Sequence, residues 1–261
     1  MNCISRQYHS RFGLLFLLSF LIVNFFGQLL GQNHQELHRP FDILLQIYVT
    51  GNRFDYARML NNPRDLERLS DYIDNLELLD PTEWSKDEAL AYWINLYNAA
   101  TIELVLTKYP VKSIKDIGGL FSSPWKKKVV KVNNRELSLD EIENDIIRTQ
   151  FTDARIHFAL NCAAIGCPPL NKKAFTDDSL DTQLEAAVNN ALANEFWLQV
   201  TEQEIRVSKI FDWYEKDFIS YAGSVREFIA KYREKDKEAI LDATRKLKYL
   251  DYDWKLNKVE L

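Results

Sequence analysis

The amino-acid sequence predicts a helix-rich α+β fold, a single domain whose β-hairpins form a small antiparallel sheet. Three observations carry this expectation. Apolar residues recur at helical spacing in more segments than they alternate. The alternating segments come in pairs across short polar turns. No strand–helix–strand rhythm of the doubly wound kind runs through the chain.

The elements follow in order. Residues 1–31 stand apart: Arg6 and Arg11 precede an apolar run from Phe12 to Phe26, and the chain turns polar at Gln32 after Gly31. A basic start, an apolar core and a small-residue boundary describe a secretory signal peptide. The run is too short for a comfortable membrane span, which needs about 20 apolar residues. An uncleaved N-terminal anchor is the alternative, because Leu29 is a poor residue three before a cut after Gly31. Residues 32–261 are then expected to be one domain, periplasmic or extracellular.

From Phe41 to Val49 the spacing is helical, ending at Gly51-Asn52, and a second helix spans Pro63 to Leu79 with proline in its first turn. The clearest helix begins at Ser85, which makes a capping box with Glu88. It carries an apolar stripe of Ala89, Leu90, Trp93, Leu96, Tyr97, Ala100 and Leu104 before Pro110 forbids continuation. Trp125–Val132, an Asn133-Asn134 turn and Arg135–Leu137 read as a hairpin. Ser138 caps another helix with Glu141, running to Phe151. Arg155 to Cys162 reads as a strand, followed by a loop at Gly166, Pro168 and Pro169. A helix from Leu180 to Ala193 precedes a second hairpin, Phe196–Val200 with Ile205–Val207. The rest reads as helical to about Leu247.

Composition narrows the function. The net charge of −5 argues against nucleic-acid binding, which requires a basic face. The one basic cluster, Lys126, Lys127, Lys128 and Lys131, alternates with valines and reads as the solvated face of a strand. The aromatics (6 Trp, 12 Tyr, 15 Phe) suit a core, and could also line a groove.

Chemistry concentrates between His157 and Leu170. Of four histidines, His9 lies in the signal segment and His34 and His38 just beyond it, where order is least expected. His157 is therefore the imidazole candidate of the folded domain, and Cys162 and Cys167 lie within ten residues of it. Imidazole can generate a thiolate, the nucleophilic form of cysteine, when a third group fixes its tautomer. In a straight strand His157 and Cys162 would face opposite ways roughly 16 Å apart, so the pair needs a bend at Asn161. Other readings stay open: a short Cys162–Cys167 disulfide, two buried thiols, or a zinc site that lacks an obvious fourth ligand. A bridge and a nucleophilic thiol exclude each other in one molecule. Glu143, with no capping task, or an asparagine is the candidate to orient the histidine. Asn95 and Asn98, three apart amid apolar residues, are expected to brace a neighbouring loop.

The segments WINLYNAATIELVL, SLDEIENDIIR, ARIHFALNCAAIGCPPL and YDWKLN resemble the domain-of-unknown-function family 547 over nearly the whole chain beyond residue 31, in its exported, bacterial-type form. The family pattern matches Trp93, Asn95, Tyr97 and Asn98, then Glu143 and Arg148, then His157 and Cys162. The resemblance implies that Cys167 is dispensable in some relatives, which carry serine there. This chain has Asn144 where relatives often carry histidine. The function expected is a thiol-dependent hydrolase or acyl transferase acting on amide or peptide bonds. Its catalytic residues are Cys162, His157 and Glu143, supported by Asn95, Asn98, Arg148 and Cys167. A non-catalytic binding or scaffolding domain of the cell envelope is the alternative. A thiol–disulfide oxidoreductase is disfavoured by the C-x4-C spacing. The expected partner is a peptide or small-molecule substrate, with neither cofactor nor metal, no nucleic acid and no membrane span beyond the signal anchor.

Overall fold

The long helix Lys86–Leu106 is the spine of the unit, and its sequence explains why. In the computed structural model, which describes residues 36–119 and 123–260, residues 38–261 form one compact unit. The expected signal segment, residues 1–31, lies outside the described residues. Helix α1 (residues 38–48 of the unit) runs into the β1–β2 hairpin (Val49–Thr50 and Arg53–Phe54), followed by α2 (Tyr56–Leu60), α3 (Pro63–Glu77) and α4 (Lys86–Leu106). Ser85 and Glu88 close the capping box that starts α4. Only Lys86, Asp87, Glu88 and Glu103 of α4 escape burial. An all-round apolar helix must be covered on every side, and α2, α3 and the helix after β4 pack on it. The expected stripe is thus a whole cylinder.

Strands β3 (Lys128–Val132) and β4 (Arg135–Ser138) form the predicted hairpin, with Asn133 and Asn134 at φ 50° and 60° in its turn. Asparagine tolerates that left-handed region better than most residues. The lysines of the basic cluster stand exposed as expected. Ser138 then caps α5 (Leu139–Glu141), which continues without a break into a π-helical stretch (Ile142–Ile147) and one α-turn, α6 (Arg148–Gln150). Widened turns of this kind are rare and often mark functional positions.

The segment read as a strand is not one. Ala154–Phe158 is a 3-10 helix, fully buried and capped by Asp153, whose carboxylate accepts from the Arg155 N–H. Its apolar run looks like a buried strand because burial on all sides leaves no periodicity to tell the two apart. Phe158 sits inside an aromatic cluster with Trp197, Phe211, Phe218 and Phe228. Burying such a ring stabilises by about 1.5–3 kcal/mol, which anchors the neighbouring His157.

The second half comprises α7 (Leu180–Leu192), β5 (Leu198–Val200), β6 (Glu204–Val207), α8 (Ile210–Trp213), α9 (Glu215–Ala222), α10 (Val225–Tyr232) and α11 (Lys237–Leu241). The helical reading to Leu247 fails at its end. Lys246–Tyr249 is strand β7, which pairs parallel to β6. Its alternating exposed and half-buried residues follow a period of two. The hairpins therefore stay in three separate sheets rather than one, and the β5–β6–β7 sheet is mixed. After β7 the chain runs back as a strap across the cysteine loop: Ile165 and Gly166 N–H donate to Lys255 and Asp253 carbonyls, and Asn257 N–H donates to Ala163. Among the described residues no helix is long and apolar enough to cross a membrane.

Candidate functional site

The cysteine loop is held from below by α4. Asn95 grips Phe175 through both halves of its amide, donating to the carbonyl (2.8 Å) and accepting from the N–H (2.9 Å). Asn98 does the same across the start of the loop, donating to the Ala159 carbonyl at 2.9 Å and accepting from the Asn161 N–H at 2.8 Å. Both amides are buried, so each satisfied bond replaces a desolvation penalty. The expected bracing is what these asparagines do.

The chain bends where it has to. Asn161 turns it by accepting from the Ala163 N–H (3.0 Å) and donating to the Pro168 carbonyl (2.7 Å). Ala163 adopts φ 61°, a left-handed conformation that disfavours any side chain by about 1–2 kcal/mol. Cys162 and Cys167 are joined by a disulfide. Of the readings open at that pair the structure holds the bridge, and in this form neither sulfur is a nucleophile. The Tyr252 hydroxyl on the strap lies 3.2 Å from each sulfur.

The bridge opens on a cleft of about 330 Å³, lined also by Tyr97, Trp125, Glu143, His157, Tyr214 and Trp254. One wall is aromatic: Trp213, Tyr252 and Trp254 lie with ring centres 4.6–5.7 Å apart, and Trp125 meets Trp254 edge-on at 5.6 Å. Lys115 sits over the Trp254 ring at 3.5 Å.

His157 is almost fully buried and stacked on Tyr214, ring centres 3.9 Å apart. Its Nε2 meets Asp217 Oδ2 at 2.8 Å. Arg148 grips the same carboxylate with two N–H groups, Nε at 2.6 Å and Nη2 at 3.0 Å. Burial tends to raise the Asp217 pKa, but the hydrogen bonds from His157 and Arg148 outweigh it and hold the carboxyl well below the usual range. An ionised Asp217 keeps a proton on Nε2, and in the neutral imidazole that leaves Nδ1 as an acceptor. Nδ1 is buried and has no hydrogen-bond partner among the described residues.

The carboxylate on His157 is thus Asp217, not Glu143. Glu143 accepts instead from Tyr214 (2.5 Å) and Tyr97 (3.2 Å), and burial together with this charge raises both phenols. The π-helical stretch carries Glu143 towards these tyrosines, while Arg148, one residue past it, reaches Asp217 and Asn144. Asn144 links Asp140 to Arg148. His38, expected to be unordered, is buried and bonded to Tyr72 at 2.8 Å, because α1 packs it into the core.

Asp217 and Tyr214 carry no local signal that sequence could have used. Asp217 lies 60 residues from His157 on an ordinary helix face, and only the terminal motif hinted at Tyr252. Among the described residues no cluster of three or more His, Cys, Asp and Glu is suited to a metal ion.

No curated protein and no solved structure matches the chain. Residues 81–191, which hold the α4 asparagines, Glu143, Arg148, His157 and both cysteines but not Asp217, Tyr214 or Tyr252, match the family described as "Protein of unknown function, DUF547".

Proposed function

We propose that this chain is an exported, bacterial-type DUF547 protein acting as a thiol-dependent hydrolase or acyl transferase on amide or peptide bonds. Cys162, once freed from its bridge, is the nucleophile, His157 the general base, and Asp217 the orienting carboxylate in place of Glu143. The observation that carries this reading is the state of His157. One ring nitrogen is fixed by a charged carboxylate, and the other is buried, unpartnered and part of a residue lining the same cleft as Cys162. A buried polar atom left unpaired costs stability, and such costs are tolerated most often at functional sites.

In the reduced protein His157 Nδ1 takes the thiol proton and the thiolate adds to the substrate carbonyl. Collapse of the adduct expels the amine, which takes the proton back from His157. Water, or a second amine, then releases the acyl group from Cys162. Tyr97, Tyr214 and Glu143 floor the cleft, and the Trp125–Trp254 wall suits flat or apolar parts of a peptide or small molecule. The disulfide supports residence in an oxidising compartment, periplasmic or extracellular, in keeping with the signal-like residues 1–31.

The test is labelling of the reduced full chain by a peptidyl vinyl sulfone. Modification should fall on Cys162 and slow by about 100-fold or more in His157→Gln, the range of base catalysis. The proposal is lost if Cys162→Ala and His157→Ala leave every activity of the pure protein intact.

The closed bridge favours a second reading, a non-catalytic binding domain of the envelope whose aromatic wall holds the ligand. Peptide binding that quenches tryptophan fluorescence equally with the bridge open or closed would select it.

A further inference from the structure

The two sulfurs of the bridge are chemically unequal. Cys167 is buried at 4% exposure, whereas Cys162 is half-buried. Sγ of Cys167 accepts from three donors: the Cys162 N–H at 3.0 Å, the Ala164 N–H at 3.4 Å and the Tyr252 hydroxyl at 3.2 Å. Sγ of Cys162 meets only the same Tyr252 hydroxyl among the described residues. The left-handed turn at Ala163 lies between the two backbone donors, and it persists without a glycine to ease it. A disulfide sulfur is a weak acceptor, while a thiolate makes strong charge-assisted hydrogen bonds. These donors therefore act most strongly after the bond breaks, with the charge on Cys167.

We propose that Cys162–Cys167 is a thiol–disulfide exchange site of fixed polarity, serving a small thiol or a protein dithiol as reductant. The external thiolate attacks Cys162 Sγ, forming a mixed disulfide, and the S–S electron pair leaves on Cys167 Sγ. A second external thiolate then attacks the outer sulfur of that mixed disulfide. The external disulfide departs and Cys162 is left as a thiolate, so two thiols are oxidised and one bridge is reduced. In the reverse direction the Cys167 thiolate attacks the Cys162 mixed disulfide and recloses the bridge. Exchange is governed by access to the attacked sulfur and by stabilisation of the leaving thiolate, and both favour this direction. The inference does not rest on the acyl-transfer reading, since exchange needs no acyl substrate.

The experiment exposes the oxidised full chain to limiting reduced glutathione, quenches with acid, alkylates free thiols and maps the peptides by mass. Glutathione is expected on Cys162 and the alkyl group on Cys167, in about tenfold excess over the opposite pattern. Tyr252→Phe, which removes one donor from the leaving thiolate, should slow the first step by about tenfold. Cys167→Ser, treated instead with oxidised glutathione, should exchange one glutathione onto Cys162, release the other as reduced glutathione, and keep the adduct because no resolving thiol remains. An adduct mainly on Cys167, an even split, or a bridge untouched by excess glutathione in the folded wild type overturns the proposal. So does an unchanged rate in folded Tyr252→Phe.

Discussion

Replacing Asp217 by asparagine tests the central network. The carboxylate receives three charge-assisted hydrogen bonds, two from Arg148 and one from His157, with the Arg148 Nε and His157 Nε2 contacts sharing Oδ2. Asparagine keeps one acceptor and turns the other into a donor. If its oxygen takes the Oδ2 place, the amide NH2 faces Arg148 Nη2; if reversed, it faces two donors. Either way at least one bond is lost, the remaining acceptor is uncharged, and the guanidinium loses its counter-charge. Hydrogen bonds to charged groups contribute about 1.5–3 kcal/mol each. Asp217 and Arg148 side chains are both 26% exposed, so solvent trims the loss towards the lower end. The expected destabilisation is about 2–3 kcal/mol, or roughly 5–10 °C in midpoint for a unit of this size. Melting followed by circular dichroism reads it directly. A cycle with Arg148→Met should show coupling of about 1–2 kcal/mol. A melting point within about 1 °C of wild type, with the two substitutions additive, would refute the reasoning about this network. Loss of vinyl sulfone labelling beyond what the small unfolded fraction explains would separate a catalytic from a merely structural carboxylate.

Asn98→Ala leaves the Ala159 carbonyl and the Asn161 N–H buried without partners. A loss of about 2–4 kcal/mol is expected by denaturant melting, with the bridge becoming easier to reduce. Phe158→Ala empties the middle of the aromatic cluster and should cost about 3–5 kcal/mol, read by the same melts. Gly166→Ala would put a Cβ 3.0 Å from the Tyr252 ring, so the ring must give by a few tenths of an ångström; because its hydroxyl assists departure of Cys167, a slower reaction of the bridge with glutathione is expected, read by the same acid quench and alkylation. Acid should destabilise in a defined order. Glu141 is held at about 2, against an ordinary 4.5, by Lys128 and the Ser138 N–H, and Asp217 is also depressed. Their stabilisation is complete above the ordinary carboxylate range and fades as pH falls from about 4.5 towards the folded values. Melting points should be flat from neutral pH to about 5 and then drop, with Glu141→Gln removing part of the drop.

The sequence by itself determined whatever depends on neighbours within a turn or two. The Ser85 and Ser138 capping boxes, helices α3, α4 and α7 and both longer hairpins follow from local spacing and are present, although Trp125 and Lys126, read into the first hairpin, belong to a 3-10 helix and β5 starts at Leu198 rather than Phe196. That His157, Cys162 and Cys167 are the candidates to share one cleft was also legible, because histidines and cysteines are scarce. The bracing by Asn95 and Asn98 followed from the physical rule that buried amides must be paired. Only the tertiary structure decided the rest. A strand and a 3-10 helix look alike when every face is buried, so Ala154–Phe158 was misread. Strand β7 needs β6 beside it, and no local pattern names a parallel partner 42 residues away. Asp217, Tyr214 and Tyr252 enter the site because α8, α9 and the terminal strap fold back over the cysteine loop. Sequence offered Glu143 as the carboxylate and gave no sign of Asp217. Which one meets His157 is settled by the packing of α9, through Phe218, against the 3-10 helix that carries the histidine.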